Sequence, residues 1–254
     1  MARIIAVLNQ KGGVGKTTTT INVGAFMAKQ GKKVLLVDLD PQGNATSGLG
    51  YDKLQLTSTT YSLLIEDLDA NIVRHSTSVK NLDMLPTNAD LSGAEVQLAT
   101  LHERELKLKI ALHDIASDYD IVLIDCPPSL GLLTVNALTA ATDVLIPVQT
   151  EYYAMEGLSQ LIQTIQRVQQ GLNQSLRILG VVMTMYDSRT SLSEQVRTEI
   201  IRVFGDLVLK TVIPRNVRLA EAPSHGLPVM DYDKWSKGSR AYKTLTKEVL
   251  DRVG

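Results

Sequence analysis

The sequence predicts one α/β domain over residues 1–254, in which a mostly parallel, twisted sheet is flanked by helices on both faces. Two observations support this fold class. Short, almost continuously apolar segments alternate with amphipathic segments along the whole chain, and apolar strands of this kind are typical of strands buried on both faces of a sheet. The alternation of strands and helices also favours right-handed crossovers between parallel strands.

The individual elements follow this alternation from one end of the chain to the other. Strands are expected at residues 3–8, 33–38, 81–86, 119–125, 143–149, 176–185 and 207–213. Helices are expected at residues 17–30, 104–116, 157–170, 193–204 and 239–253. Ligands of such sheets bind beyond the carboxyl ends of the strands, so residues that directly follow a strand are the candidates for a functional site.

Composition restricts the class of protein. Hydrophobic residues make up 44% and charged residues 21% of the chain, which is ordinary for a globular domain. The single cysteine, Cys126, cannot form a disulfide or a thiolate metal cage within one chain, which favours a reducing, cytoplasmic compartment. The apolar start of the chain ends at Asn9, too early for a signal peptide, and no segment approaches the roughly 18 apolar residues of a membrane-spanning helix.

A glycine-rich segment lies between the first strand and the first helix. In this context glycines let backbone N–H groups face phosphate oxygens, and the helix N-terminus adds partial positive charge. Lys16 is placed to reach the β- and γ-phosphates of a nucleotide, and the Thr17 hydroxyl to ligate Mg²⁺. The motif departs from the strict pattern at Gln10, where a glycine is expected. The predicted phosphate loop comprises Lys11, Gly12, Gly13, Val14, Gly15, Lys16, Thr17 and Thr18.

Carboxylates at the ends of two other strands are candidates for the metal site and for hydrolysis. Asp125 ends an apolar strand, where it would hold Mg²⁺ through water, since this ion keeps several waters. Asp38 and Asp40 lie at the end of the strand 33–38. Short polar residues are also common in turns before a proline, so a purely structural role stays open for both aspartates.

Four separated motifs resemble the ParA/Soj branch of the ParA/MinD ATPases, whose deviant phosphate loop carries a second lysine. They lie at residues 11–18, 37–44, 124–129 and 213–218, and the likeness extends over essentially the whole chain. The resemblance implies a P-loop NTPase fold, ATP and Mg²⁺ as cofactors, and hydrolysis of ATP to ADP and phosphate. It is to the short form of the family, without the long N-terminal DNA-binding extension of some plasmid members.

The same resemblance assigns roles to individual residues. Asp40 would position the attacking water, and Lys11 would reach across the interface of an ATP-dependent homodimer to the partner's phosphates. Gly12 would lie where the two backbones pass closely. Pro214 and Asn216, which follow the last strand, would lie against the base. For Lys11 the alternative of a solvated loop lysine stays open.

Basic residues are concentrated near the end of the chain. Residues 215–247 contain seven Lys and Arg against three acidic residues, a net charge of +4 in a chain whose total is −1. Such segregation fits a phosphate-binding face, although basic runs are also common on ordinary surfaces. In ParA/Soj proteins, arginines matching Arg189 and Arg218 contribute to DNA binding. The resemblance therefore implies non-specific binding of double-stranded DNA, nucleoid association, and a ParB-like centromere-binding partner that stimulates hydrolysis.

Two other functions on this fold stay open. A MinD-like membrane-surface ATPase would need a basic amphipathic C-terminal helix that lies on lipid. The last predicted helix carries an apolar stripe that includes Leu245 and Val249, which is typical of a helix facing a core, so we expect no stable membrane anchor. A metabolic or assembly ATPase would show no dependence on DNA.

Overall fold

The strands form one sheet in a computed structural model that describes residues 2–151 and 154–254. The strands are β1 (Arg3–Val7), β2 (Val34–Asp38), β3 (His75–Ser76), β4 (Leu82–Leu85), β5 (Ile121–Asp125), β6 (Asp143–Gln149), β7 (Arg177–Tyr186) and β8 (Val208–Pro214). Their order across the sheet is β3-β4-β2-β5-β1-β6-β7-β8, and in the described residues every pairing is parallel except that of β3 with β4. The predicted mostly parallel sheet is confirmed.

Helices cover both faces of this sheet. They are α1 (Lys16–Lys29), α2 (Asn44–Gly48), α3 (Thr60–Ile65), α4 (Ala70–Val73), α5 (Ala94–Leu98), α6 (Lys107–Leu112), α7 (Leu132–Ala140), α8 (Ala154–Gly171), α9 (Ser191–Phe204), α10 (Val217–Glu221), α11 (Val229–Tyr232) and α12 (Lys237–Val253). Alternate residues of β5 enter two separate hydrophobic cores, Ile121 and Leu123 on one face and Val122 and Ile124 on the other. None of the described helices is both long and apolar enough to cross a bilayer.

The helix predicted at residues 104–116 is wrong in its length, because a side chain from α7 interrupts its start. The buried Asn136 donates its Nδ2 to the carbonyl of Arg104 at 2.7 Å, while its Oδ1 accepts the N–H of Leu108 at 3.0 Å. These two backbone groups would bond to each other in a continuous helix. α6 therefore begins only at Lys107.

Helices α2 to α5, α7, α10 and α11 were not predicted from the sequence. All of these except α7 have only four to six residues, too few to show a helical period. Seven of the nine residues of α7 are buried, so this helix has no polar face that would reveal its period.

The parallel register brings the carboxyl ends of the central strands to one edge of the sheet. Asp38 of β2 lies opposite Asp125 of β5, and Val7 of β1 lies opposite Asp125 on its other side. Tyr186 of β7 pairs with Pro214 of β8. The loops that carry the predicted site residues therefore leave the sheet at the same edge.

The C-terminal helix α12 packs against α1 through its apolar side, as its stripe predicts. Leu245 and Val249 are fully buried. Tyr242 is also buried, and its hydroxyl forms a 3.0 Å hydrogen bond with that of Thr19 in α1.

Tyr242→Phe should lower the free energy of unfolding by about 1 kcal/mol, because the buried Thr19 hydroxyl loses its partner. Denaturant unfolding at equilibrium measures the change. Tyr51→Phe is the matched control, since the Tyr51 hydroxyl bonds to the carbonyl of Ser76 at an exposed position. Equal losses of unfolding free energy in the two variants would show that the buried hydrogen bond between α1 and α12 stabilises the fold no more than an exposed one.

Candidate functional site

The loop between β1 and α1 has the backbone conformation of an anion-binding turn. Gly13 and Gly15 have φ angles of 75° and 86°, which residues with a side chain rarely adopt. Gly15 is the N-cap of α1, and no side chain caps this helix. The N–H groups of its first turn are therefore available to a bound anion.

Lys16 begins α1 and is almost completely buried, with 6% of its surface exposed. Its Nζ donates to the carbonyl of Lys11 over 3.3 Å, its one hydrogen bond in the described part of the chain. Burial lowers the pKa of Lys16, and the nearby carboxylates of Asp125 and Asp40 partly oppose this effect. A buried ammonium group with one long hydrogen bond favours an anionic ligand.

Asp125, at the end of β5, is fully buried and accepts hydrogen bonds from two threonines of α1. Thr17 Oγ1 donates to Oδ2 at 2.7 Å, and Thr20 Oγ1 donates to Oδ1 at 3.1 Å. Desolvation raises the pKa of Asp125 well above its usual range, and the charge of Asp38 raises it further. The hydroxyl and carboxylate oxygens fit the hard oxygen ligands that Mg²⁺ prefers. Sequence reasoning missed Thr20, although its spacing of three residues from Thr17 places both hydroxyls on one helix face.

Asp38 orders the loop that follows β2. Its carboxylate accepts the backbone N–H and the hydroxyl of Thr46 at 2.8 and 2.7 Å, and the N–H of Asp40 at 3.2 Å. Burial raises the pKa of Asp38 to about 6. These bonds give Asp38 a structural role. No local signal in the sequence reveals Thr46.

Two cavities meet at the phosphate loop. One, of about 330 Å³, is lined by the loop together with Asp40 and Pro128. The other, of about 320 Å³, is lined by Pro214 and Asn216 after β8. Gly15, Thr18 and Met185 line both cavities. The combined space has a charged end at Lys16 and a less polar end at Pro214, as an elongated ligand with an anionic group requires.

Asn216 has a buried side-chain oxygen that finds no hydrogen-bond partner within the described residues. A buried acceptor without a hydrogen-bond partner is costly. Met185, beside it, has a φ angle of 50°, which is unusual for a residue with a side chain. Asn216, which lines the less polar end of the cavity, therefore has an acceptor that is still unpaired in the single chain.

Lys11 does not point into this space. Its Nζ pairs with Glu151 Oε2 at 2.6 Å, and Gln149 Nε2 donates to the other oxygen of Glu151. Both charged side chains are partly exposed. Glu151 follows β6 almost directly, so the rule that site residues follow strands could have identified it.

Comparison with known proteins decides the family of this chain. Residues 2–178 match the protein-family model described as an AAA domain. The chain is 56% identical to the sporulation initiation inhibitor protein Soj of Bacillus subtilis over 98% of each chain. It is 52% identical to the chromosome-partitioning ATPase Soj of Treponema pallidum, over 100% of this chain and 99% of that protein. The chain belongs to the Soj/ParA family of chromosome-partitioning ATPases.

Solved structures confirm the P-loop ATPase fold. A Mycobacterium smegmatis protein described as cobyrinic acid a,c-diamide synthase, with a bound ATP analog and magnesium, is 41% identical with a TM-score of 0.88, over 100% of this chain and 96% of that one. The septum site-determining protein MinD of Pyrococcus horikoshii, complexed with Mg-ADP, is 26% identical with a TM-score of 0.81, over 100% and 98% of the two chains.

The structure brings Arg189 and Arg218 to the same edge of the sheet, since they follow the adjacent strands β7 and β8. Both arginines are ion-paired within the Soj/ParA chain. Arg189 binds both carboxylate oxygens of Asp187 at 2.8 and 2.7 Å. Arg218 lies 2.8 Å from Glu221 and 3.4 Å from Asp233. Their charges are therefore partly neutralised in the single chain.

Asp125→Asn should raise the thermal stability of the nucleotide-free, metal-free protein at pH 8. The pKa of Asp125 is raised in the folded state. Between the ordinary carboxyl range and this raised pKa the folded state binds more protons than the unfolded state, so stability falls as the pH rises. Asparagine has the same shape, carries no charge, and can still bond to the two threonine hydroxyls. A melting temperature higher by several degrees is expected, at roughly 2–4 °C for each kcal/mol.

The measurement compares melting temperatures of wild type and Asp125→Asn from pH 5 to pH 8 with a chelator present. The advantage of the variant should grow with pH. Asp251→Asn, at an exposed carboxylate with no ion pair among the described residues, is the control and should show no such trend. If the melting temperatures of wild type and Asp125→Asn fell by the same amount as the pH rises, ionisation of the buried Asp125 would not destabilise the fold as expected.

Proposed function

We propose that this protein is an ATP-dependent DNA-partitioning ATPase whose ATP-bound homodimer binds double-stranded DNA without reading its sequence. The observation that carries the proposal is the arrangement of Lys16, Thr17 and Asp125 at the charged end of the two-part cavity, in a member of the Soj/ParA family. A ParB-like partner would stimulate hydrolysis, which would release the dimer from the nucleoid.

The two ends of the cavity suit the two ends of ATP. The phosphates would lie on the loop, where Lys16 and the free N–H groups of α1 donate to their oxygens. Thr17 and Asp125 would hold Mg²⁺, which supplies further charge neutralisation when bound. The base would lie against Pro214, and the unpartnered Oδ1 of Asn216 would accept the exocyclic amine of adenine.

Hydrolysis would depend on Asp40, which lines the cavity beside Lys16 and Thr17. Its carboxylate accepts the N–H of Gln42 at 3.0 Å, which fixes its direction. From this position it would orient a water for in-line attack on the terminal phosphate, with ADP and phosphate as the products. Asp38 would contribute by holding the backbone of Asp40.

Dimerisation would take place through the phosphate loop. Lys11 would exchange Glu151 for the partner's phosphates and add positive charge there, as an arginine finger does in trans. A Cβ placed on Gly12 would meet no atom within 4 Å in its own chain. The space beside Gly12 is therefore free for the backbone of a second copy.

Gly12→Val should permit ATP binding and prevent dimerisation, because its Cβ meets no atom of its own chain within 4 Å and its side chain would occupy the space proposed for the partner's backbone. Asp40→Ala provides the background, since slow hydrolysis should make the ATP dimer accumulate. Size-exclusion chromatography with light scattering should give a dimer for Asp40→Ala and a monomer for the double variant. Gly93→Val is the matched control, because a Cβ at Gly93 also meets nothing within 4 Å.

Two results would contradict this scheme. A normal ATP-dependent dimer of the Gly12→Val double variant would exclude the contact through the loop. An Asp40→Ala variant that binds ATP but stays monomeric would remove the role proposed for Asp40.

DNA binding is supported by a basic face on α12. Lys237, Arg240, Lys243 and Lys247 are exposed, and at 100° per residue they lie within about 120° of the helix circumference. The buried Tyr242 and Val249 lie on the opposite side. None of these four basic residues has an ion pair among the described residues, so their charge is available to phosphates.

Arg218→Glu, and more strongly Arg189→Glu with it, should weaken DNA binding and leave ATP-dependent dimerisation intact. Each phosphate contact contributes about 0.9 to the slope of log affinity against log salt, so the slope should flatten as contacts are lost. Fluorescence anisotropy of two unrelated labelled duplexes, with ATP, ADP or no nucleotide, measures both effects. Arg202→Glu, at an exposed arginine paired with Glu199 on α9, is the control.

Wild-type binding should require ATP and be equal for the two duplexes. Equal binding by wild type and the Arg218→Glu variant at every salt concentration would exclude Arg218 from the interface. An ATP dimer of the wild type that ignores DNA at low salt would favour a metabolic or assembly ATPase instead.

A further inference from the structure

The chain has one tryptophan, Trp235, and its side chain is 75% exposed. It lies in the short loop between α11 and α12. Lys234 places its Nζ 5.2 Å from the centre of the indole ring, so one face of the ring carries a cation. The other large exposed apolar side chains of the described residues are aliphatic. Tryptophan is enriched at interfaces, because its ring is apolar while its N–H can donate a hydrogen bond.

The loop holds Trp235 outward in a defined conformation. Asp233 Oδ1 accepts the N–H of Trp235 at 3.1 Å. Ser236 donates its hydroxyl to the carbonyl of Asp233 at 2.9 Å and accepts the N–H of Ser239 at 3.1 Å, which caps α12. Hydrogen bonds on both sides of Trp235 therefore order the backbone of this loop.

Basic residues flank this position in the chain, together with the acidic Asp233. The carboxylate of Asp233 that holds Trp235 also contacts Arg218, through Oδ2 and Nε at 3.4 Å. On the other side α12 begins with Lys237 and has no acidic residue in its first turn. Basic residues at a helix N-terminus oppose the helix dipole, so this arrangement is unfavourable unless an anion binds there. Trp235 thus follows a residue that contacts Arg218 and precedes the helix that carries the basic face.

We propose that Trp235 packs against the sugar–phosphate backbone of duplex DNA and adds contact area that carries no sequence information. The inference rests on the DNA binding proposed above. A tryptophan suits this place because its ring is apolar while its N–H can donate to a phosphate oxygen. Contacts to sugar and phosphate position a protein on DNA without reading bases.

An anionic bilayer is the other surface that attracts a tryptophan among lysines. A lipid-bound helix buries a whole apolar face, whereas the apolar face of α12 is occupied by its packing against α1. Only the indole of Trp235 would then be left to insert into the bilayer. The observations therefore favour DNA, and lipid becomes an outcome of the test.

Because Trp235 is the only tryptophan, its fluorescence reports on this position in the unaltered protein. Wild type loaded with a non-hydrolysable ATP analogue is titrated with duplex DNA, and quenching of the emission by acrylamide is measured. Burial of the ring against DNA should lower the quenching constant by about twofold or more. An unchanged constant, where labelled-duplex anisotropy shows full binding, would overturn the inference.

Variants give an independent readout. Trp235→Ala should weaken DNA binding about tenfold, as loss of a well-packed tryptophan does in interfaces, while Trp235→Phe keeps most of the affinity. The salt slope should not change, because no charge is removed, in contrast to Arg218→Glu. Leu54→Ala removes another exposed apolar side chain, 95% exposed, and is the control. Wild-type affinity in Trp235→Ala would overturn the inference.

The outcomes separate this inference from the proposed function. DNA binding by the ATP form without any effect at Trp235 refutes the contact and leaves the DNA function standing. A wild-type ATP form that binds no DNA refutes both. Protection of the indole by vesicles of anionic phospholipid, but not by duplex DNA, would assign the surface to lipid and overturn the contact with DNA.

Discussion

The buried charges at the carboxyl ends of β2 and β5 are the constraint on which the site depends. Asp38, Asp40, Asp125 and Lys16 are each less than 10% exposed, so three carboxylates share one ammonium group. Their surroundings supply hydroxyl donors from threonines but no second cation among the buried side chains of the described residues. The raised pKa of Asp125 and the lowered pKa of Lys16 both express this cost of burial. A bound metal ion with an anionic nucleotide would relieve it, which couples ligand binding to the stability of the fold.

The sheet imposes this arrangement through its register. Asp38 and Asp125 lie directly opposite each other because β2 and β5 are parallel neighbours. A shift of one residue in either strand would move every apolar side chain of that strand to the wrong core. The two hydrophobic cores therefore hold the carboxylates in place, and the stability lost by burying the charges is offset by apolar residues that take no part in the site.

The parts of the site that the sequence predicted are those set by local order along the chain. The phosphate loop, Asp40 and Asp125 follow apolar strands directly, and the ends of parallel strands meet at one edge. The parts that could not be predicted depend on partners distant in sequence. Asn136 interrupts α6 from another helix, and Tyr242 reaches Thr19 across 223 residues. The short helices after β2 could not be predicted for a different reason, since they contain too few residues to show a helical period.

Three of the cations proposed to act between molecules share one property in the single chain. Lys11, Arg189 and Arg218 are each paired with a carboxylate of their own chain, at Glu151, Asp187 and Glu221. Exposed pairs of this kind contribute only about 0–1 kcal/mol, so exchanging the carboxylate for a phosphate costs little. Until that exchange, the pairs lower the net positive charge that a monomer presents to nucleic acid. Dimerisation would place two basic faces on one duplex, where their contacts act together. In the proposed scheme, own-chain pairing would weaken DNA binding by the monomer and leave the dimer able to bind, which is the contrast that nucleotide control of DNA binding requires.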